Sequence, residues 1–157
     1  LARNIIHVGD VGAASSIKVL NNLMFGAINA ITAEVLVLAS AARLDPGVFV
    51  DVVLGSGAAS VSGLFKDIGP RAVRGDFDPT FSVQLLHKDN ALALAMAREH
   101  DVPLVVGAAV QTLNTMAVAS GRGQADSIAV MEGLESLTGR KARRGTCSDA
   151  VPVDGQA

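Results

Sequence analysis

The feature that most constrains the fold is a long stretch of helical periodicity near the start of the chain. Apolar residues recur at positions 17, 20, 24, 27, 28, 31, 35 and 38, and no proline interrupts the run before Arg43. Ser15 or Ser16 is the expected N-cap, because a serine side chain can accept a hydrogen bond from the first turn. The spacing therefore predicts one long helix that ends near Arg43.

The most apolar part of this helix, residues 23–42, has the length of a membrane span. It is interrupted by Asn29, Thr32, Glu34 and Ser40, and an ionised carboxylate near the centre of a bilayer is energetically costly. We therefore expect a buried central helix and no membrane partner. Glu34 is expected to be either paired with a cation, the more frequent fate of such a residue, or functional.

Turn and capping residues divide the rest of the chain into shorter helices. Asp45-Pro46 is typical of a helix start, whereas Gly69-Pro70 and residues 74–79 predict a loop. Residues 4–8 form a short β-type run, and residues 138–157 show no apolar period and are expected to be disordered. The shorter helices are predicted at 46–55, 60–68, 81–100, 104–120 and 126–137. The fold class is all-α: a single domain of about six helices, residues 13–137, around the long central helix.

Composition excludes several classes of partner. The 157 residues are 50% hydrophobic, and 13 basic against 15 acidic residues give a net charge of −2, so no global charge favours nucleic acid. The chain has no Trp or Tyr on which bases could stack, and the basic run 140–144 is expected to be a solvated tail. Cys147 is the single cysteine and no signal-peptide pattern opens the chain. We therefore expect a reducing, cytoplasmic location.

Metal and nucleotide sites receive little support from residue spacing. His7, His87 and His100 form none of the short pairs typical of metal ligands, so no metal site is expected. Residues 50–60 come close to a glycine-rich dinucleotide loop, but Ser60 replaces the third glycine and no strand–helix–strand unit surrounds it. We expect the isolated chain to lack a nucleotide-binding fingerprint of its own.

Two pairs of polar residues are candidates for chemistry. Lys18 and Asn22 lie four residues apart and therefore share one face of the long helix. An amine that apolar neighbours partly desolvate is suited to proton transfer near neutrality, which makes Lys18 a candidate general acid or base. Lys88 and Asp89 form the second pair. The spacing alone leaves open that both pairs are ordinary exposed polar surface on a helix.

Three motifs, in order along the chain, resemble a known family. Residues 12–22, with Gly12, Lys18, Asn21 and Asn22, are similar to the G-x-G-x-x-x-K-x-x-N-N motif that opens the C-terminal domain of the 3-hydroxyisobutyrate dehydrogenase family of NAD(P)-dependent β-hydroxyacid dehydrogenases, with Ala14 in place of the second glycine. Residues 81–93 are similar to its F-x-x-x-L-x-x-K-D-x-x-L-A helix. Residues 126–129 loosely resemble its D-x-S-A helix start. Together the resemblance covers roughly residues 5–137.

The resemblance implies roles for several side chains. Lys18 would exchange a proton with the substrate hydroxyl, and Asn22 and Asn21 would bind the substrate. Phosphogluconate dehydrogenases typically have His at the position of Asn21, so small unphosphorylated hydroxyacids are expected as substrates. Related imine reductases usually replace the lysine, so Lys18 argues against that activity.

The cofactor, NAD or NADP, would be contacted here by Lys88 near the nicotinamide, by Asp89 as a supporting or contacting carboxylate, and by Gly12. The resemblance also implies a two-domain enzyme whose N-terminal Rossmann domain binds most of the cofactor. Residues 1–12 would be the end of its last strand and the interdomain turn, and this chain by itself would be inactive. Family members assemble as dimers or tetramers, so a homo-oligomer is expected. The contrasting hypothesis, which composition permits, is a non-catalytic helical oligomerisation module.

Overall fold

A computed structural model describes residues 6–56 and 62–145 of the chain, and in these ranges the fold is all-α. The bounds of the helices are α1 Ala13–Ala41, α2 Pro46–Gly55, α3 Gly63–Arg74, α4 Val83–Glu99, α5 Val105–Ala119 and α6 Val130–Thr138. A 3-10 turn, Ser127–Ala129, leads directly into α6. Within the described ranges, extended pairing is limited to one antiparallel bridge between Ser82 and Asp126. The predicted fold class is confirmed.

Helix α1 is the centre of the bundle and contacts all five other helices. Its nine buried residues all lie between Gly26 and Ser40. The largest, Leu36, is fully enclosed in a core to which α2, α3, α4, α5 and α6 contribute. Burying such a side chain contributes roughly 1.5–3 kcal/mol to folding, so the second half of α1 organises the domain.

By length and composition α1 could cross a membrane, but half of its most apolar window is buried inside the bundle. Such burial is typical of the core helix of a globular domain and supports the expectation of a buried central helix. Glu34 lies on the exposed side of α1. Among the described residues it makes no ion pair, so the expected pairing with a cation is not observed there.

The beginnings of the helices follow the predicted capping chemistry at some positions and not at others. Asp45 caps α2 as expected, since its Oδ1 accepts a hydrogen bond from the N–H of Gly47 at 2.6 Å, and Pro46 occupies the first helical position. The prediction for α1 was wrong. The helix begins at Ala13, so Ser15 and Ser16 lie inside its first turn without capping it.

The predicted helix end at Gly69-Pro70 was also wrong, because α3 continues through Pro70 to Arg74. An internal proline removes one helical hydrogen bond and costs about 3 kcal/mol in a helix interior. Here Ile68 before it, and Ala72 and Val73 after it, are buried in the core. Packing on both sides of the proline therefore holds the segment helical, which a local pattern cannot reveal.

Residues 139–145 are packed against the helices, contrary to the disorder expected from residue 138. The side chain of Ala142 is fully buried. The hydroxyl of Ser40 donates to the carbonyl of Lys141 at 2.9 Å, and the N–H of Arg144 donates to the carbonyl of Val73 at 2.9 Å. We name residues 139–145 the C-terminal strap. Residues 146–157, which include Cys147, lie outside the described residues.

Three residues of the basic run expected to be solvated, Lys141, Arg143 and Arg144, are paired with acids instead. The Glu135 side chain is buried, and it accepts hydrogen bonds from the N–H of Ala142 at 2.8 Å, from Lys141 Nζ at 3.1 Å and from Arg143. A buried carboxylate is tolerated only when charges and hydrogen bonds compensate it. The strap supplies these charges and hydrogen bonds to Glu135 and is thereby held against the bundle. Arg144 adds a bidentate ion pair with Asp51, with distances of 2.8 and 3.0 Å.

Candidate active site

The candidate site lies on the first three turns of α1, which extend beyond the core. Residues 13–24 include no buried residue. Lys18 is exposed, and its neighbours Ile17 and Leu20 are themselves 50% and 48% exposed. The apolar residues beside Lys18 in sequence therefore do not enclose its amine, contrary to the desolvation expected from the sequence. The site is open on this side.

The structure brings the two predicted polar pairs together. The Nδ2 atom of Asn22 on α1 donates a hydrogen bond to Oδ2 of Asp89 on α4, at 2.7 Å. Lys88 Nζ lies 3.3 Å from Oδ1 of the same carboxylate. The Asp89 side chain is 7% exposed, whereas that of Lys88 is 59% exposed. Residues 67 positions apart thus form one cluster, with the carboxylate inside and the ammonium group at its rim.

This contact fixes the orientation of the Asn22 amide. The donor of this hydrogen bond is Nδ2, so the NH₂ group of Asn22 faces the Asp89 side chain. The Oδ1 atom and one remaining N–H of Asn22 are left for another partner. Because Lys18 lies one turn earlier on the same helical face, an acceptor and a charged donor are presented side by side. That combination suits a ligand that carries hydroxyl and carboxylate groups.

Close packing explains why α4 reaches α1 at this point. A Cβ atom on Gly26, one turn after Asn22, would lie 3.0 Å from Val110 Cγ1 and 3.5 Å from Leu86 Cδ1. A glycine at that position therefore lets both α4 and α5 approach α1. Beside it the rings of Phe25 and Phe81 meet edge to face, with centroids 5.4 Å apart and an interplanar angle of 79°.

Gly12 sets the start of α1 through its backbone. It adopts a left-handed conformation, with φ of 102°, that disfavours residues with a side chain. The first turn that follows has no side-chain cap, and free N–H groups at a helix start favour a negatively charged group. Ala14 lies inside α1, where no glycine conformation is needed. This explains why the chain can depart from the family motif at Ala14.

The sequence-based predictions also concern Asn21, His87 and a metal site. Asn21 is exposed and lies on α1 beside Asn22. The partly exposed His87 has its Nε2 atom 3.2 Å from the hydroxyl oxygen of Thr115. In the described part of the chain, no three His, Cys, Asp or Glu residues are grouped as a metal site would require.

The sequence did not predict the contacts that hold α4 against α1 next to the site. No motif includes Phe25, although it follows Asn22 by three residues. A network of Arg71, Thr80 and Asp126 holds the chain segment that leads into α4. The resemblance pointed to Asp126 as a helix start, but no pattern links it to Arg71, which is 55 positions away.

Comparison with known proteins identifies the class. A family described as "NAD-binding of NADP-dependent 3-hydroxyisobutyrate dehydrogenase" matches residues 12–134. The match spans the three motifs and the whole α1–α4 contact. The class is therefore that of the proteins related to NAD(P)-dependent oxidoreductases. Within it, the chain belongs to the 3-hydroxyisobutyrate dehydrogenase family of β-hydroxyacid dehydrogenases.

Individual relatives agree with this family. The chain is 36% identical over 144 residues to 3-sulfolactaldehyde reductase of Escherichia coli (strain K12), covering 91% of this chain and 48% of that protein. It is 34% identical over 139 residues to 2-(hydroxymethyl)glutarate dehydrogenase of Eubacterium barkeri, covering 88% and 46%. The chain therefore spans about half the length of the relatives it matches.

Solved structures show the same fold. The crystal structure of a 3-hydroxyisobutyrate dehydrogenase from Salmonella typhimurium superposes with a TM-score of 0.78 at 31% identity, covering 83% of this chain and 46% of that one. A 3-hydroxyisobutyrate dehydrogenase of Mycobacterium tuberculosis, in a structure described with L-serine, gives 0.74 at 28% identity, covering 85% and 47%. The helical bundle is thus the fold of part of these enzymes.

Proposed function

We propose that this chain is the C-terminal substrate-binding, catalytic and oligomerisation domain of an NAD(P)-dependent β-hydroxyacid dehydrogenase, which interconverts a small hydroxyacid and the corresponding semialdehyde or ketoacid. The observation that carries the proposal is the 2.7 Å hydrogen bond between Asn22 and Asp89. It unites the Lys18–Asn22 motif with the Lys88–Asp89 motif, so that residues expected to bind substrate and cofactor share one place in the fold.

The residues present fit a nicotinamide cofactor in two respects. Lys88 holds an exposed ammonium group at the rim of the cluster, and the uncapped start of α1 after Gly12 favours an anionic group such as a phosphate. When bound, NAD or NADP accepts or returns the hydride. Asp89 is almost enclosed, so its part is to hold Asn22 and Lys88 in place.

Lys18 is the residue that exchanges a proton with the substrate hydroxyl. During oxidation its amine takes the proton of the substrate hydroxyl, and during reduction the ammonium group returns it, which stabilises the developing alkoxide. The oriented amide of Asn22 binds the substrate and aligns the carbon that carries the hydroxyl. Asn21 adds a second amide on the exposed side. Phosphogluconate dehydrogenases typically have a histidine at the position of Asn21, so the asparagine here favours an unphosphorylated hydroxyacid as substrate.

The exposed apolar residues of α1 and α5 support the assembly of a homo-oligomer. Met24, Ile31 and Leu38 on α1 are 55–67% exposed, and Val105 and Val106 on α5 are 80% and 63% exposed. Val105 and Val106 line grooves together with Met24 and Ile31, and exposed apolar surface of this kind is typical of a face that a protein partner covers. A dimer or tetramer, a cytoplasmic location, and the absence of nucleic-acid and membrane partners complete the proposal.

The test is kinetic and uses the protein that contains this chain, assayed with NAD and NADP against small hydroxyacids. Lys18→Ala should lower kcat by a factor on the order of 10² to 10⁴, the usual contribution of a general acid or base. Lys66→Ala, which removes an exposed lysine from α3, is the matched control and should leave kcat unchanged. Near-normal turnover by the Lys18→Ala protein would exclude Lys18 as the proton-transfer group, whereas no turnover of any hydroxyacid by the parent protein would favour the non-catalytic oligomerisation module.

A further inference from the structure

Asp126 connects three separate parts of the chain. Its Oδ2 atom accepts hydrogen bonds from the backbone N–H of Thr80 at 2.9 Å, from the Thr80 hydroxyl at 2.8 Å and from Arg71 Nη1 at 3.1 Å. Its Oδ1 atom accepts from the N–H of Ile128 at 3.2 Å and so begins the last helical segment. One carboxylate, 1% exposed, thus joins α3, the segment before α4 and the start of α6.

Backbone pairing strengthens the attachment on both sides of Phe81. The N–H of Ser127 donates to the carbonyl of Phe81 at 2.8 Å, and the N–H of Val83 donates to the carbonyl of Ala125 at 3.0 Å. The chain from Thr80 to Val83 is therefore held against residues 125–127. This leaves the Phe81 side chain little freedom of direction.

Phe81 in turn touches the helix that carries the site. Its ring packs edge to face against Phe25, which lies one turn after Asn22 on α1. Helix α4, which carries Asp89, begins two residues after Phe81. Both partners of the hydrogen bond between Asn22 and Asp89 therefore depend on where the segment around Phe81 is held.

We propose that Asp126 is a positioning residue for the active site, acting through Thr80 and Phe81 to hold Asn22 and Asp89 at hydrogen-bonding distance. The role rests on the dehydrogenase function proposed above. Asp126 is enclosed at the back of the site, so it acts on Asn22 through the intervening residues. If it is lost, the start of α4 can shift against α1, and the Asn22 amide loses its fixed orientation.

The electrostatics of Asp126 agree with this role. Burial raises the pKa of this carboxyl, but hydrogen bonds from Thr80 and Ile128 and the guanidinium of Arg71 outweigh burial and hold the pKa below its usual range. The group therefore stays ionised at neutral pH. Charge-assisted hydrogen bonds to an ionised carboxylate are stronger than neutral ones, which suits a fixed point of attachment.

A double-mutant cycle with Asn22 tests the proposal in the protein that contains this chain. Asp126→Asn keeps the shape but cannot accept at both positions. We expect it to lower kcat/KM about tenfold, since small misplacement of a substrate-orienting group is costly. In the Asn22→Ala background, Asp126→Asn should lower kcat/KM by less than about twofold, because the amide that Asp126 positions is already absent. An equal loss in both backgrounds, or no loss in the folded variant, would overturn the proposal.

Glu135→Gln is the matched control for a loss of stability. Glu135 is as buried as Asp126 and is also paired with arginine, but its partners belong to the C-terminal strap. This variant should be destabilised while its kcat/KM stays within about twofold of the parent value. If it lowers kcat/KM as much as Asp126→Asn does, the effect follows stability and the positioning role is rejected.

A measurement without substrate separates this inference from the proposed function. The side-chain amide NMR signal of Asn22 in the ligand-free protein reports on its hydrogen bond to Asp89. Asp126→Asn, and Thr80→Val at an exposed position, should shift that signal, whereas Glu135→Gln should leave it in place. An unmoved Asn22 signal in Thr80→Val and Asp126→Asn would contradict positioning, whether or not the protein proves to be a dehydrogenase.

Discussion

The two parts of helix α1 differ in what they do. Residues 13–24, the outer segment, contain no buried residue and carry Lys18, Asn21 and Asn22. Residues 25–41, the inner segment, contain every buried residue of the helix, among them Leu36 at 0% exposure. One continuous helix thus joins an exposed end that carries the candidate site residues to an end buried in the core. The outer segment can present polar groups to a ligand because the inner segment provides the stability.

The difference between the outer and inner segments of α1 is tested most strongly by producing the 157-residue chain alone. We expect no dehydrogenase activity and only weak binding of NAD or NADP, since a glycine-rich phosphate-binding loop in the Rossmann setting is not found in this sequence. Calorimetric titration with each cofactor, alongside an activity assay, provides the measurement. Micromolar binding would show that the outer segment and Lys88 hold the cofactor without help.

A matched pair of leucine variants sharpens the contrast between the segments. Leu36→Ala should lower the free energy of unfolding by about 2–5 kcal/mol, because it leaves a cavity in a filled core. Leu20→Ala in the outer segment, where the side chain is 48% exposed, should cost less than about 1 kcal/mol. Chemical denaturation of the 157-residue chain measures both. Equal losses would mean that the outer segment is also part of the stabilising core.

A smaller effect is expected on the stability of the protein at acidic pH. The pKa of Asp126 is lower in the folded protein than in the unfolded chain, so its contribution to stability is present above the ordinary carboxyl pKa of about 3.9 and is lost as pH falls through the folded value. Asp126→Asn should therefore flatten the decline of stability below about pH 4. Denaturation midpoints measured from neutral to acidic pH give the comparison. An unchanged acid profile in the variant would indicate that other carboxyl groups dominate it.

The sequence predicted those features that depend on neighbouring residues. The period of α1, the Asp45-Pro46 helix start and the motif residues Lys18 and Asn22 are local patterns, and the resemblance added Lys88 and Asp89. The sequence did not predict that α3 continues through Pro70, because this depends on the burial of Ile68 and Val73 against distant helices. Long-range packing overrides a local breaker signal.

Sequence patterns proposed residues for the site but did not predict their surroundings. The exposure of Lys18 depends on how far α1 extends beyond the core, and spacing carries no information about that distance. The attachment of Thr80 by Asp126 and Arg71 joins residues that are 46 and 55 positions apart. Such contacts are set by the completed tertiary structure.

The C-terminal strap has a consequence for the order of folding. The hydrogen bond from Ser40 to Lys141 spans 101 positions, and the bond from the N–H of Gly145 to Asp45 spans 100. Closing loops of that length has an entropic cost, and contacts between residues so distant in sequence slow folding. During synthesis, α1 and α2 leave the ribosome long before their strap exists. The buried Glu135 carboxylate is paired with Lys141, Ala142 and Arg143, so these contacts form after residues 141–143 have been synthesised.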